Sequence, residues 1–211
     1  GAGDGGVWIY DASDRAAPRV VLDRQVYADG AVHNVRYSPN GRVLAVPYDD
    51  GHVALVDTSD PGSGRFPVTL VDEHDGGVRT VAFRPGGQVL ATSSDDRTVR
   101  LWDVSTPSRP VPLGEPLTGF GDVAHSVSFN GDGTILAASS DDGVLHLFDT
   151  TDPRAARPLG VPTNAHTGGV WNIAFLPDGR TLASASWDGT AKLWDVDPST
   201  RTLDEIGPPL T

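Results

Sequence analysis

Apolar and polar residues alternate through VRTVAF (78–83), and the alternation stops at PGG (85–87). It resumes in QVLATSS (88–94), breaks at DDR (95–97), and returns in TVRLWD (98–103). Period-2 runs rich in β-branched residues, bounded by Gly, Pro and Asp, read as antiparallel strands joined by tight turns. The Pro-rich stretch STPSRPVPLGEP (105–116) comes next, and a short fourth strand is predicted to end near Leu117. The turn chemistry recurs at PNG (39–41), GDG (131–133) and PDG (177–179), where Gly supplies positive φ. Most Pro residues fall between third and fourth strands, which places those loops at an exposed rim. Pro47 breaks this rule; it sits in a second strand and predicts a bulge or a frayed end there.

The cycle has a fixed period. Asp11, Asp57, Asp103, Asp149 and Asp195 are spaced by 46 residues, as are Tyr37, Phe83, Phe129 and Phe175. Gly41, Gly87, Gly133 and Gly179 keep the same step, and so do Leu44, Leu90, Leu136 and Leu182. Asp4, Asp50, Asp96, Asp142 and Asp188 make a fifth column. A four-stranded repeat of this length cannot bury both faces of its sheet alone, so neighbours must stack as the blades of a β-propeller. The runs TVRLWD and TAKLWD, with His74 and His166 upstream of Gly-Gly-Val, resemble the WD-repeat family. The resemblance spans essentially the whole chain and is far more specific for fold than for function.

The expected architecture is all-β, a single propeller segment over residues 1–211 with about 4.5 four-stranded blades. A half blade covers 1–25, and blades follow at about 26–71, 72–118, 119–164 and 165–211. Gly1 aligns with Ala185, at the end of a second strand, and PPLT (208–211) aligns with EPLT (115–118). The chain is therefore expected to form an open arc of a larger ring, with roughly 18 strands, whose open blade edges favour self-association.

SASWDGTAKLWD (184–195) carries two tryptophans, Trp187 and Trp194, and the repeats separate them. His74, Thr92, Asp96 and Trp102 recur 92 residues later as His166, Ser184, Asp188 and Trp194. The other two repeats have Ala28 and Phe120 at the His position, Val46 and Ala138 at the hydroxyl, and Val56 and Phe148 at the Trp. Residues that come and go together form a hydrogen-bonded unit, since a half-satisfied buried network is worse than an apolar one. They resemble the family's structural tetrad. A Ser-His-Asp catalytic reading of His166, Ser184 and Asp188 is disfavoured, because a catalytic centre has no reason to recur in a second repeat. NGDG (130–133) and YDDGH (48–52) read as turns rather than calcium loops. GAGDGG at the start is a weak dinucleotide signal. No ligand spacing supports a metal at His33 or His125.

Two columns diverge. Just inside the first strand stand His33, Arg79, His125 and Trp171; before the turn Asp stand Asp49, Asp95, Asp141 and Trp187. In the WD-repeat family these positions resemble those facing the narrow end of the central channel, where peptides dock. Trp171 and Trp187 fall in one repeat and are expected to touch as an anchor pocket. The three Asp favour a cationic ligand group. The competing readings are that the two Trp cover a blade edge and that Arg79–Asp95 is an exposed ion pair.

Composition narrows the function. The net charge is −12, which repels phosphate backbones and argues against nucleic acid. No apolar run reaches the roughly 18 residues of a membrane span, and no signal peptide is evident, so a cytoplasmic protein is expected. Cys is absent, which excludes disulfides and thiolate chemistry; Met is absent too, which predicts a processed chain or part of a longer one. The leading expectation is a non-enzymatic, cofactor-free scaffold for protein or peptide partners. The Gly-, Ala-, Pro- and Arg-rich usage suggests a bacterial chain, similar to the sensor regions of STAND-class signalling NTPases or receptor-like kinases. The alternative is a propeller enzyme of lactonase or quinone dehydrogenase type, which needs channel ligands that the sequence does not show.

Overall fold

A computed structural model describes residues 6–11, 14–25, 30–60, 63, 65–197, 199 and 202–211. The predicted strands form five antiparallel sheets in chain order. β1 (Gly6–Asp11) and β2 (Arg19–Gln25) make a two-stranded sheet. β3 (Arg36–Tyr37), β4 (Val43–Pro47), β5 (His52–Asp57) and β6 (Val68–Asp72) make the second. β7 (Val78–Phe83), β8 (Val89–Ser94), β9 (Val99–Asp103) and β10 (Val111–Pro112) make the third. The fourth comprises β11 (Ala124–Phe129), β12 (Ile135–Ser140) and β13 (Val144–Asp149), with its outer strand split into β14 (Arg157–Pro158) and β15 (Thr163–Asn164). β16 (Val170–Phe175), β17 (Thr181–Ser186), β18 (Ala191–Asp197) and β19 (Thr202–Glu205) close the series. The first sheet shares no strand with the last, so the described residues form an open arc. No helix among them is long and apolar enough to cross a membrane.

The core lies between the sheets. Val43, Ala45, Val53 and Leu55 pack against Leu90 and Trp102 of the following sheet. Val89, Ala91, Val99 and Leu101 pack in turn against Phe120, Leu136 and Phe148. Ile135, Ala137, Leu145 and Leu147 pack against Leu182 and Trp194. Alternate residues of one strand thus serve two different neighbours, which is why β8 and β12 are buried at every position.

Turns lock this stacking. Gly143 has φ +85, and a side chain there would collide with the His166 carbonyl oxygen of the next blade. That same approach lets the His166 N–H donate to the Gly143 carbonyl at 3.1 Å. Pro47 is a buried strand end paired with Val53. The neighbouring Tyr48 N–H points to β5, so the missing N–H of Pro47 falls on the β3 side. The expected bulge is not there, since β4 pairs with β5 in unbroken register through Pro47; it is the first strand that is short, β3 having two residues where β7, β11 and β16 each have six.

Candidate functional site

The two diverging columns are built by one local device. In β7, β11 and β16 the register shifts between Val78 and Thr80, Ala124 and Ser126, and Val170 and Asn172. Arg79, His125 and Trp171 are therefore bulge residues, left unpaired and re-aimed out of the ladder. With His33 they line a cavity of about 360 Å³. The second column is held beside the first by its backbone. The N–H groups of Asp49, Asp95, Asp141 and Trp187 donate to the carbonyls of Ala31, Gly77, Val123 and Gly169 at 2.9–3.2 Å.

In three blades the columns set a base opposite an acid, and in two of them the pair is joined. His33 Nε2 lies 2.8 Å from Asp49 Oδ1. Arg79 donates from Nε and Nη2 to the two Asp95 oxygens, both at 2.5 Å, and its Nη1 stands 4.0 Å from Asp49. The pair is part-exposed and contributes on the order of 1 kcal/mol or less to stability. His125 faces Asp141, but Nδ1 of the one and Oδ1 of the other are buried with no hydrogen-bond partner among the described residues. Burial holds the Asp141 carboxyl above the usual carboxylate range; Asp122 and Asp95 push the same way, while His125 and Arg79 oppose. The expected cation preference of three acids thus narrows to Asp141.

The fifth blade carries Trp in both columns. Trp171 is 52% exposed and lines the cavity; Trp187 is 75% exposed and does not. No ring contact joins them among the described residues. The expected contact is not formed: the bulge residue Trp171 lines the cavity, whereas Trp187 stays in the β17–β18 turn. The cavity walls are stitched between blades: Val127 N–H donates to Thr80 Oγ1 at 3.2 Å, and Ile173 N–H donates to Ser126 Oγ at 3.3 Å. Sequence reasoning passed over this column of Asn34, Thr80, Ser126 and Asn172, although it is polar in all four repeats.

The tetrads lie elsewhere, inside the blades. His74 Nδ1 is 2.7 Å from Asp96 Oδ2, its Nε2 is 2.7 Å from Thr92 Oγ1, and Trp102 Nε1 donates to that oxygen at 3.1 Å. The chain of donors runs Trp N–H to hydroxyl oxygen, hydroxyl to Nε2, and Nδ1–H to carboxylate, which requires a neutral imidazole. Burial depresses the His74 pKa against the pull of Asp96, in keeping with that state. In the fifth blade His166 Nε2 lies 2.7 Å from Ser184 Oγ, Nδ1 lies 3.1 Å from Asp188 Oδ2, and Trp194 Nε1 donates to Ser184 at 2.8 Å. Ser184 is buried, and its oxygen already accepts the indole N–H, so this set cannot meet a substrate. Thr98 and Thr190 extend the networks by donating to Asp96 and Asp188, each at 2.7 Å. They occur only in the tetrad repeats, a signal that was readable. Burial raises Asp96, but hydrogen bonds from Thr98 and His74 outweigh it and leave the carboxyl lowered. Asp188 is held far below the ordinary range, chiefly by Thr190.

Blades without the tetrad fill the space differently. Phe120 and Phe148 flank His146, with the Phe120 and His146 ring centres 4.4 Å apart. Ala28 lies outside the described residues. Asp142 remains, accepting the Gly121 and Val144 N–H groups at 3.1 Å each. Asp132 likewise accepts from Thr134, and Asn130 from the Ile135 N–H, so NGDG is committed to its turn. Among the described residues no group of three or more His, Asp or Glu is placed to hold a metal.

The model of the WD domain, G-beta repeat family matches residues 65–103, 114–149 and 157–195, together more than half of the chain. The chain belongs to the WD-repeat family, whose repeats generally act as scaffolds for protein–protein interaction. No curated protein matches it.

Proposed function

We propose that the channel mouth is a docking site for a protein or peptide segment, and that the chain is a non-catalytic interaction module. An apolar side chain of the partner packs on Trp171 and Trp187, and a cationic group beside it reaches Asp141. The observation that carries this reading is the joint replacement in the fifth blade. Three blades set a base opposite an acid across the two columns, joined in two of them; in the fifth both positions become exposed Trp. Exposed indoles at a rigid cavity edge are the side chains most often found as binding hot spots. The buried, unpaired oxygen of Asp141 supports a positively charged or N–H-donating group next to them. The acidic chain disfavours nucleic acid as the partner. The residue usage supports a place in the sensor region of a larger bacterial signalling protein, with catalysis on another domain.

A displayed random-peptide library selected on the purified chain tests this reading. The expected consensus places an aromatic or aliphatic residue near Lys or Arg, and Asp141→Asn abolishes the basic preference. Failure to enrich any consensus, or one indifferent to Asp141 and Trp171, overturns it.

A further inference from the structure

The outer edges of the sheets are unequal. A strand with one free side offers unpaired N–H and C=O groups to any other strand, and folds blunt such edges with short strands, Pro, bulges or charge. β10 and β14 are two residues long and each contains Pro. The Leu113 and Leu159 N–H groups donate inward, to Leu101 and Leu147, so the alternating Pro112 and Pro158 turn their missing N–H outward. β2 is bulged: Leu22 and Val20 pair with the consecutive Ile9 and Tyr10, which leaves Val21 as the extra residue. β19 ends in the exposed acids Asp204 and Glu205.

β6 has none of these devices. It pairs with β5 in unbroken register from Val56 with Val68 to His52 with Asp72. The Asp57 N–H donates to the Pro67 carbonyl, so Pro67, Thr69 and Val71 face β5, while Val68, Leu70 and Asp72 turn their backbone groups outward. β6 is the last strand of its sheet, and no described strand pairs with its outer side. The edge lies on the circumference of an internal blade. Val56 and Val68 pack with Val7 of the first sheet, and Val71 packs with Leu90 and Trp102 of the third. The side chains of the three outward residues share one face. Val68 is half-buried, Leu70 is exposed, and the Asp72 carboxylate is two-thirds exposed, with His52 Nε2 at 3.4 Å. Along that face the edge reads apolar, apolar, acidic.

We propose that β6 takes up an extended segment of a partner protein by antiparallel strand addition. The backbone groups of Val68, Leu70 and Asp72 supply the hydrogen bonds, and alternate side chains supply the choice of sequence. The segment reads basic–x–apolar–x–apolar: Lys or Arg stands opposite Asp72, and apolar residues stand opposite Leu70 and Val68. The net charge of −12 favours such a basic segment. A second copy of β6 fits less well. Antiparallel pairing about Leu70 sets Val68 of one copy against Asp72 of the other, which leaves each carboxylate without a cation, and the two acidic chains repel. This edge is separate from the cavity and does not rest on the reading of the mouth.

Titration of the 211-residue chain with the capped peptide TKTVTVT, whose β-branched residues favour an extended backbone, reads the outcome. Binding is expected, and TETVTVT is expected to bind several-fold more weakly. Asp72→Lys is expected to reverse that order. In hydrogen exchange, TKTVTVT is expected to slow the amides of Val68, Leu70 and Asp72. Leu70→Pro turns a missing N–H outward, as Pro112 and Pro158 do, and is expected to abolish binding with unchanged circular dichroism. Asp72→Lys changes an exposed side chain, so it decides the matter even if Leu70→Pro does not fold. The proposal is overturned by a chain that binds neither peptide, by equal affinity for the two, or by a preference that survives Asp72→Lys. Protection at the cavity residues instead of β6, or a folded Leu70→Pro protein that binds like the parent, overturns it too. A chain that self-associates without peptide, and loses this in Leu70→Pro, gives the edge to a second copy and overturns the partner segment.

Discussion

The fourth and fifth blades solve one burial problem in opposite ways. The fifth fills the space between loop and sheet with His166, Asp188, Ser184 and Trp194, every polar group paired. The fourth fills it with Phe120, Ala138 and Phe148, packed around His146. Both bury the middle of the sheet, and both keep the turn Asp on a loop N–H: Asp188 on Thr167 and Asp142 on Gly121, each at 3.1 Å. The carboxylate is therefore the part of the unit a blade needs, and the His, hydroxyl and Trp are one of two ways to complete it. A network that one blade omits without loss of its fold is a structural option, and function has to be sought at the mouth.

Truncating the apolar solution carries the largest expected effect. Phe148→Ala opens a cavity in the cluster shared with Leu101 and Leu136, and is expected to lower unfolding free energy by about 3–5 kcal/mol in denaturant titrations. Trp194→Phe keeps most of the packing but deprives Ser184 of its donor, and a loss of about 1–3 kcal/mol is expected. The reverse exchange sharpens the contrast. Phe148→Trp buries an indole N–H beside Ala138 and Phe120, where neither side chain accepts a hydrogen bond, so no stabilisation is expected. A gain would show that the blades are interchangeable and the co-variation accidental.

Acid separates the two solutions by smaller steps. Burial holds both His74 and His146 below the ordinary imidazole value of 6.5. The unfolded chain then binds more protons than the folded one as pH falls below 6.5, so stability is full above that value and declines beneath it. Asp96 and Asp188 lie below the ordinary 3.8, so their share is full above 3.8 and is lost on further acidification. Thermal melts across pH are expected to show both declines. His146→Leu removes the fourth blade's part of the first and leaves the second unchanged; an unaltered first decline contradicts the assignment.

The arc and its strands were legible because a 46-residue period repeats turn chemistry and alternation together. The tetrads were legible because their members vanish together. What periodicity could not carry is where a side chain is aimed. A single-residue bulge sends Trp171 into the cavity, whereas Trp187 sits in the turn after the neighbouring strand and does not line it. The Arg79–Asp95 ion pair was among the readings of the sequence and forms; the pairing of His33 with Asp49 lay equally within reach, since both columns were in view. Comparing them pairwise, rather than one at a time, shows Asp49 and Asp95 already engaged. The split outer strand of the fourth blade has no alternation signal, since each piece is two residues long.

The smallest expected change in stability tests the central claim most directly. Trp187→Asp restores the residue of the three sister blades at a position that is 75% exposed. Its unfolding free energy is expected to stay within about 0.5 kcal/mol of the parent. Calorimetric titration with a peptide selected on the parent chain is expected to show a loss of about 2 kcal/mol, roughly thirty-fold in Kd. Unchanged affinity, or a variant that no longer folds, contradicts the assignment of Trp187 to the binding site and returns it to the structural role of Trp194.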